Sequence, residues 1–301
     1  MNRKWQYVVY LITLDLVQAE ISTFATSKTI QNDMRIAAVT ILYNPPNDFI
    51  ANILTYKDHI EKLYLIDNSP NPLLLDLGAL SEKAVYYWDG YNKGIAQRLN
   101  EACSKAIKDG YSFLLTMDQD SSFNESQISG YLRSVEIKMK SGAYSMIGIR
   151  YYQLKQQITK DEIENSILIT SGSVVNLDAF KKIGEFDESF FIDEVDTEYC
   201  IRSLKIGYRT ALLNMFFLNH SEGIKKKISI FGIIKMTRMI HSPIRMYYKV
   251  RNIRKVRKKH PEFKHLVPLR YIFNVIKNNL VYSNFRIKSF FYILKGLFEK
   301  I

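Results

Sequence analysis

Short apolar runs alternate with amphipathic stretches between residues 34 and 223. The apolar runs are rich in β-branched residues and end in polar ones, which predicts strands, whereas the stretches between them carry apolar residues at helical spacing. Strands that alternate with helices in this way form βαβ units around a parallel sheet, so we expect an α/β domain. The predicted strands cover 34–42, 62–66, 85–88, 112–118, 146–151, 167–175 and 208–218, and the predicted helices cover 50–60, 95–107, 122–140, 177–183 and 192–204.

One predicted strand leads directly into two carboxylates. The apolar run at 113–117 is followed by Asp118 and Asp120. Because side chains alternate along an extended chain, these carboxylates point the same way, and together they suit a divalent cation and the diphosphate that it carries. An Asp-x-Asp pair is also common in surface turns. Its position at the carboxyl end of a buried strand, where ligands bind in such sheets, favours a site in a cleft.

Other polar residues and a glycine lie near or within predicted elements. Gly172 lies inside a predicted strand, where a glycine often marks the close approach of a ligand or of another backbone segment. His220 follows the last predicted strand, within reach of a metal ion held by Asp120. Asn92 fits a helix N-cap as well as it fits a role in the cleft.

Four carboxylates lie close together at the start of the helix predicted over 192–204. Acids stabilise a helix N-terminus through the helix dipole, and this effect accounts for part of the pattern. Large aromatic residues flank the cluster on a loop suited to lining a pocket, which favours a functional site. The four residues are Asp193, Glu194, Asp196 and Glu198.

Composition and charge divide the chain into two parts. Its 301 residues suffice for one large domain with an appendage, and the two cysteines lack metal-binding spacing, as expected for a reducing compartment. The net charge of +12 is unevenly distributed, because residues 224–301 hold 20 Lys and Arg against two acids, whereas residues 1–223 hold 22 basic and 28 acidic residues. A basic part joined to an acidic catalytic part predicts contact with an anionic surface.

The basic part is predicted to be helical. Lys and Arg alternate there with Phe, Tyr, Ile and Leu, as in helices that lie in a membrane interface, and no segment has the ~20 consecutive apolar residues of a membrane span. We therefore predict a membrane-surface or acceptor-binding region over 224–301. Binding of nucleic acid is an alternative, but no nucleic-acid-binding module accompanies the charge. The predicted helices cover 228–238, 247–259, 271–282 and 285–298.

Residues 1–33 stand apart from this pattern. Their apolar run at 7–14 is too short to span a bilayer, and no clear cleavage site for a signal peptide follows it. The regular alternation of strands and helices begins only at Met34. We expect a poorly ordered N-terminal extension over 1–33 and a catalytic domain over 34–223.

Seven motifs occur in a fixed order: AVTILYNPP (38–46), LIDNS (65–69), NKGIAQRLNEA (92–102), MDQDSS (117–122), TSGSVVN (170–176), FFIDEVDTEYCIR (190–202) and NHSEG (219–223). Together they resemble the inverting nucleotide-sugar glycosyltransferases of glycosyltransferase family 2, and most closely the bacterial rhamnosyltransferase branch. The resemblance covers about residues 34–260. It implies an A-type glycosyltransferase fold, which is a doubly wound, mostly parallel, Rossmann-like sheet, here with a basic helical C-terminal extension.

The resemblance also implies roles for individual residues. The nucleotide and its diphosphate would be bound at the ends of the first four strands, and the sugar and its acceptor would lie beyond them. By this resemblance Tyr43 and Asp67 contact the nucleotide base, and Asn92 and Gly94 line the nucleotide pocket. Asp118 contacts ribose or phosphate, and Asp120 and His220 hold the metal. Gly172 and Ser173 face the sugar or acceptor.

In the family the catalytic base lies just before a helix, which corresponds here to the helix that contains Arg202. The family usually has Glu-Asp at this point, whereas this chain has Val195 and Asp196. Counting back from Arg202 assigns the base to Asp196. Asp193 is the alternative, and Glu198 is a further carboxylate of the same cluster.

The implied reaction is sugar transfer by a single, inverting displacement with Mn²⁺ or Mg²⁺ as cofactor. The expected donor is dTDP-L-rhamnose, and a UDP-hexose carrying galactose or glucose is the alternative. The expected acceptor is a saccharide or a polyprenyl-linked saccharide in bacterial surface polysaccharide synthesis. We expect a cytoplasmic enzyme that lies peripherally on the anionic inner face of the cell membrane, without a nucleic-acid partner.

Overall fold

The computed structural model describes residues 34–73, 78–80, 82–151, 160–220, 224–230 and 234–301, with the backbone alone for residue 79 and for most of 224–239. The predicted extension over 1–33 lies outside the described residues. Nine of the described strands belong to one sheet. They are β1 (Ile36–Leu42), β2 (Lys62–Asp67), β3 (Ala84–Trp88), β4 (Phe113–Asp118), β5 (Ser121–Phe123), β6 (Tyr144–Tyr151), β7 (Glu162–Glu164), β8 (Ser173–Asn176) and β9 (Arg209–His220).

Helices follow the strands in the order that the sequence predicts. Short 3₁₀ segments occur at Lys57–His59, Gly78–Leu80, Glu188–Phe190 and Pro261–Leu266. The helices of the sheet domain are α1 (Phe49–Leu54), α2 (Gly94–Lys108), α3 (Glu125–Met139), α4 (Leu177–Ile183) and α5 (Val195–Lys205). The C-terminal region consists of the strands β10 (Ile224–Ile230) and β11 (Ile234–Ile240) and the helices α6 (Pro243–Lys259), α7 (Leu269–Tyr282) and α8 (Arg286–Phe298).

The sheet has the strand order β3-β2-β1-β4-β8-β6-β9-β5, and β7 also pairs with β9. Strands β3, β2, β1 and β4 run parallel, and the short strands β5, β7 and β8 add antiparallel pairings beyond them. The carboxyl ends of β1, β2 and β4 therefore open on the same edge of the sheet, where ligands of α/β proteins bind.

Both faces of the sheet are covered by apolar packing, as a doubly wound fold requires. Alternate residues of β1 face opposite sides: Ala37 and Val39 pack with α2, α5 and α6, whereas Ile36 and Ala38 pack with α1 and α3. Central strands that are buried on both faces are continuous apolar runs, which is why β1, β2 and β4 were recognisable in the sequence. The predicted α/β fold with a C-terminal helical region is confirmed.

Two predicted elements differ from the structure in kind or conformation, and the helices predicted over 50–60 and 122–140 are shorter, at Phe49–Leu54 and Glu125–Met139. The helix predicted over 228–238 is instead an antiparallel hairpin of β10 and β11, in which Ile224 pairs with Ile240 and Ile230 with Ile234. Ile228, Ile230, Ile234 and Met236 are spaced by two or multiples of two, which fits a strand. The strand predicted over 167–175 is regular only from Ser173, because Gly172 has a φ of +77° and turns the chain.

The C-terminal helices pack on the sheet domain and on one another. Helix α6 begins at Pro243, where a missing N–H has no consequence, and Ser242 caps it by accepting from the Arg245 amide. At Gly296 of α8 a Cβ atom would lie 2.7 Å from the carbonyl oxygen of Tyr247, so α8 contacts the backbone of α6. Among the described residues, no helix combines the length and the apolar character needed to cross a membrane.

Candidate active site

An acidic cluster with one histidine lies where β4 and β9 end. Asp118 is the last residue of β4, Asp120 follows in the turn, and His220 ends β9 opposite Ser121 of β5. His220 Nδ1 lies 3.4 Å from Asp120 Oδ1 and 4.0 Å from Asp118 Oδ2, and one ligand atom from each residue lies within 4.8 Å of the others. Two carboxylates and an imidazole are a donor set that can hold a divalent metal ion.

A layer of hydrogen bonds behind this cluster orients its members. The Ser171 hydroxyl accepts from the Asp118 amide at 3.0 Å and donates to the Ser121 hydroxyl at 2.7 Å. Ser121 Oγ in turn lies 2.6 Å from His220 Nδ1, while the Tyr151 ring stacks on the imidazole with 4.7 Å between centroids. Side chains behind a metal site fix the orientation of its ligands. The roles of Ser121, Ser171 and Tyr151 depend on tertiary contacts, so the sequence pattern did not reveal them.

The polar groups at the ends of β1 and β2 form the side assigned to the nucleotide. Asp67 is buried; its Oδ1 accepts from the Ser69 amide and its Oδ2 from the Tyr86 hydroxyl, both at 2.7 Å. Burial and this carboxylate raise the pKa of Tyr86 to about 12. Tyr43 is exposed, and the Gln119 side chain, which lies between the two acids of the cluster, binds the amide and the carbonyl of Tyr43.

Asn92 and Gly94 shape the start of α2. The exposed Asn92 side chain accepts from the Gly94 amide at 3.0 Å, so it closes a local turn. Gly94 has a φ of +79°, and a Cβ atom there would lie 2.6 Å from the carbonyl oxygen of Phe191. The Ile95 amide donates to the same oxygen at 2.6 Å. Gly94 is therefore needed for the close approach between α2 and the loop before α5.

Arg98 of α2 is a buried cation that the sequence pattern did not single out. Its guanidinium binds Asp89 at 2.6 Å and Glu101 at 2.7 Å, and its Nε donates to Asn68 Oδ1 at 2.8 Å. The hydrogen bonds from Arg98 hold the pKa of Asp89 well below its ordinary value. Arg98 thus fixes the loop after β3 against the end of β2, beside Asp67.

Asp196 lies in the first turn of α5, and its carboxylate is hydrogen-bonded to backbone amides. Oδ2 accepts from the Thr170 amide at 3.2 Å and Oδ1 from the Thr197 amide at 2.8 Å. Burial raises the pKa of Asp196 to about 6, and the charges of Asp193 and Asp118 add to this effect, although the two amides oppose it. Such a value suits a group that takes up a proton near neutral pH.

Asp193 and Glu198, the other carboxylates considered for the base, are paired with cations. Only 5% of the Asp193 side chain is exposed, and Arg245 and Lys249 of α6 bind it at 3.1 and 3.0 Å. Burial alone would raise the pKa of Asp193, but these two cations hold it below its ordinary value. Glu198 is fully buried against Arg202, Lys259 and His260. Both carboxylates therefore join α5 and its preceding loop to other elements.

Gly172 and Ser173, which the resemblance assigns to the sugar or acceptor side, pack against neighbouring parts of the sheet domain. Both are buried, and a Cβ atom at Gly172 would lie 2.5 Å from the Ile149 side chain. The Ser173 hydroxyl donates to the Ile169 carbonyl at 2.5 Å. The glycine marks close packing against the sheet, and the preceding residues, Thr170 and Ser171, make the contacts with the site.

Comparisons with known proteins place this site in a family. No family model matches the sequence. Over 234 residues the chain is 32% identical to the dTDP-rhamnosyl transferase RfbF of Shigella flexneri, and the aligned part covers 72% of this chain and 78% of that protein. The crystal structure of S. aureus TarS has a similar fold, with a TM-score of 0.51 and 12% identity over 83% of this chain, which spans 44% of the TarS chain. The chain therefore belongs to the bacterial rhamnosyltransferases, the branch of glycosyltransferase family 2 that its motifs resemble.

Proposed function

We propose that this protein transfers L-rhamnose from dTDP-L-rhamnose to a saccharide or lipid-linked saccharide acceptor in bacterial surface polysaccharide synthesis. The proposal rests on the contacts of two consecutive residues, one of which binds the candidate base and the other the candidate metal cluster. The Thr170 amide binds Asp196, and the Ser171 hydroxyl binds the Asp118 amide. The carboxylate proposed to accept a proton and the cluster proposed to bind the diphosphate are thereby tied to the same short segment. The dTDP-rhamnosyl transferase of Shigella flexneri supports the choice of donor.

In this proposal Asp196 is the general base. Its carboxylate takes the proton of the acceptor hydroxyl while that oxygen attacks the anomeric carbon and the bond from this carbon to the diphosphate oxygen breaks. The attack comes from the face opposite the departing diphosphate, so the configuration at the anomeric carbon inverts. General-base assistance of this kind typically contributes roughly 10²–10⁴-fold in rate. The cation-paired carboxylates Asp193 and Glu198 are less suited to accepting a proton.

Donor binding is assigned to the strand ends. Asp118, Asp120 and His220 would hold Mn²⁺ or Mg²⁺, which when bound neutralises negative charge on the diphosphate. Tyr43 and Asp67 would contact the base.

The loop at Asn92 and Gly94 would close the nucleotide pocket, and Arg98 would fix it in place. A UDP-hexose would use the same elements, so the identity of the nucleotide base and of the sugar is a matter for experiment.

A thermal-shift panel tests the donor and the metal together. A ligand that binds only the folded protein raises the unfolding temperature by mass action. We expect dTDP with Mn²⁺ to stabilise the protein more than UDP with Mn²⁺, and more than dTDP with a chelator. Asp120→Asn removes ligand charge at a partly exposed position, so the metal-dependent shift should vanish while the unliganded protein unfolds at an unchanged temperature. Asp58→Asn, an exposed acid far from the cleft, is the control.

The outer face of α8 fits an anionic membrane surface. Ser289, Ile293 and Gly296 face the protein, whereas the opposite side of the helix is apolar and exposed, with Ile287 77% and Phe298 81% accessible. Residues 268–301 hold six Lys and Arg against one acid, Glu299, which bonds inward to Tyr247. Like charge disfavours the pairing of two such faces, whereas anionic headgroups complement it. We propose that the enzyme works at the cytoplasmic face of the membrane, where it meets a polyprenyl-linked acceptor.

A further inference from the structure

The backbone just before α5 adopts conformations that are unfavourable for residues with side chains. Phe191, Asp193 and Glu194 have φ values of 63°, 62° and 62°, and none of them is glycine. A left-handed conformation costs about 1–2 kcal/mol for such a residue. The surrounding structure must therefore hold this segment, which we call the 190–194 loop. Because Glu194 is the N-cap residue of α5, the loop determines where α5 begins and how Asp196, two residues later, enters the cleft.

One buried side chain of α6 binds three carbonyl groups of this loop. The amide group of Asn252 donates to the carbonyl oxygens of Phe190 at 2.8 Å, Ile192 at 2.7 Å and Asp193 at 2.8 Å. Asn252 is completely inaccessible to solvent. Buried carbonyl groups lose free energy when they lack a donor. The Phe190 carbonyl also accepts from the Ile192 amide and from Arg251, so the carbonyls that depend on Asn252 are those of Ile192 and Asp193.

Other residues on the same face of α6 bind the loop beside Asn252. Arg245 and Lys249 bind the Asp193 carboxylate, and residues 245, 249 and 252 are spaced four and three apart, so they share one side of the helix. On the other side of the loop, the amide of Ile95 in α2 binds the Phe191 carbonyl. The loop is thus enclosed between two helices, and the bonds from Asn252 to the Ile192 and Asp193 carbonyls hold the part of its backbone that leads into α5.

We infer that Asn252 is a positioning residue for sugar transfer, because it holds the 190–194 loop in the conformation that directs Asp196 toward the acceptor hydroxyl. The inference rests on the proposed role of Asp196 as the base. It gives α6 a part in catalysis that is separate from any contact between the C-terminal region and a membrane. Asn252 lies more than 50 residues beyond Asp196 in the sequence and does not touch the reacting groups.

The test compares Asn252→Ala with Asn279→Ala. Asn279 of α7 is as deeply buried as Asn252 and also bonds twice to the backbone, at the amide and carbonyl of His241, but it does not contact the loop. The release of dTDP from dTDP-L-rhamnose, with water as the acceptor, gives kcat and KM for each full-length variant. Unfolding temperature and the affinity for dTDP with Mn²⁺ are measured on the same preparations.

We expect Asn252→Ala to lower kcat by about 100-fold, the loss that follows when a catalytic group is displaced by about 1 Å, while KM and the affinity for dTDP stay within about twofold. Asn279→Ala should lose a similar amount of thermal stability and keep the wild-type kcat. Asn252→Ser retains one donor and should have an intermediate kcat, and it replaces Asn252→Ala if that variant does not fold.

Two outcomes would overturn the inference. The first is a wild-type kcat in Asn252→Ala with a stability loss equal to that of Asn279→Ala, and the second is a change confined to KM. Asp196→Asn is assayed in parallel to separate this inference from the proposed function. If Asp196→Asn retains turnover, the base is assigned wrongly; if Asp196→Asn is inactive while Asn252→Ala is fully active, only the positioning role fails.

Discussion

Asp196 is the residue that sets the expected pH dependence of sugar transfer. The pKa of its carboxyl group is raised to about 6, chiefly by burial, and the acids near it are Asp193 and Glu194 of the preceding loop and Asp118 of β4. A general base works only when it is deprotonated. The value of kcat should therefore rise with pH through a midpoint of about 6 and level off above it. A pH profile of kcat at saturating donor checks this, and a midpoint near the ordinary value for aspartate would contradict it.

The same raised pKa makes Asp196 a source of instability in the folded protein. Between its ordinary pKa of 3.8 and about 6, the folded protein holds a proton that the unfolded chain has released, so stability falls as pH rises through this range. Two pKa units correspond to about 3 kcal/mol. We expect Asp196→Asn to be inactive and up to about 3 kcal/mol more stable at pH 7, with the gain disappearing below pH ~4. Urea unfolding at both pH values measures this, and destabilisation at pH 7 would contradict the expectation.

The sequence identified the carboxylates and the histidine of the site better than the residues that support them. Asp118, Asp120 and His220 were found because each follows an apolar strand, and strand ends meet at one edge of a parallel sheet. The contacts of Ser171 and Asn252 join residues 50 or more positions apart, and no local pattern encodes such pairings. A glycine such as Gly172 signals close approach without indicating whether the neighbour is a ligand or a side chain, and in the structure the Ile149 side chain lies nearest to it.

At the scale of elements, the approach of α2 to the 190–194 loop depends on Gly94. An alanine there would combine a φ of +79° with a Cβ atom 2.6 Å from the Phe191 carbonyl oxygen. Gly207, at the end of α5, has a similar φ of +92°, but a Cβ atom there would meet nothing within 4 Å, so Gly207→Ala isolates the conformational penalty of about 1 kcal/mol.

We expect Gly94→Ala to be destabilised by about 1–3 kcal/mol more than Gly207→Ala, because the added methyl group cannot be accommodated without moving the loop. Its turnover should fall as well, since the loop leads into the helix that carries Asp196. Denaturant unfolding and kcat of both variants provide the measurement. Equal losses of stability would show that the approach of the two backbones is not tightly constrained.

The elements that the sequence predicted correctly are those with a simple relation between pattern and burial. Strands β1, β2 and β4 are buried on both faces and read as continuous apolar runs, and α2 has one apolar stripe that ends at Gly110, whose φ is +79°. The hairpin of β10 and β11 was mistaken for a helix because isoleucines among lysines fit both periods over a short range. The three-residue strands β5 and β7 are set by their pairing with β9 and not by their own composition.

At the scale of the whole molecule, the unequal charge of the two parts has two different uses. Several basic residues of α6 pair with carboxylates of the sheet domain, as Arg245 and Lys249 do with Asp193 and Lys259 does with Asp187 and Glu198. Those of α7 and α8 lie beside exposed aromatic residues. The basic region is therefore held against the sheet domain through the ion pairs of α6, and its outer helices form the surface that we assign to the membrane.

The membrane surface is testable by substitution without truncation, because removing α8 would expose its contact with α6. Phe291→Asp combined with Phe298→Asp places charge on the outer apolar face of α8, whereas Ile137→Asp does so at an exposed apolar residue of α3. We expect the double variant to lose binding to vesicles that contain anionic lipid, with Ile137→Asp binding as the wild type does. Each basic residue near such a surface contributes about 1 kcal/mol, so added salt should weaken the binding. Equal binding to neutral and anionic vesicles would contradict this assignment.

The choice of donor distinguishes the proposed function from its alternative. The full-length protein with Mn²⁺ is given dTDP-L-rhamnose, UDP-glucose or UDP-galactose, with water as the acceptor, and the nucleoside diphosphate released is measured to obtain kcat/KM for each donor. The proposed function predicts that dTDP-L-rhamnose has the highest kcat/KM, that the transferred sugar has the opposite anomeric configuration, and that Asp196→Asn abolishes the release while still binding dTDP. A higher kcat/KM with a UDP-hexose would show instead that this protein uses its rhamnosyltransferase fold to transfer another sugar.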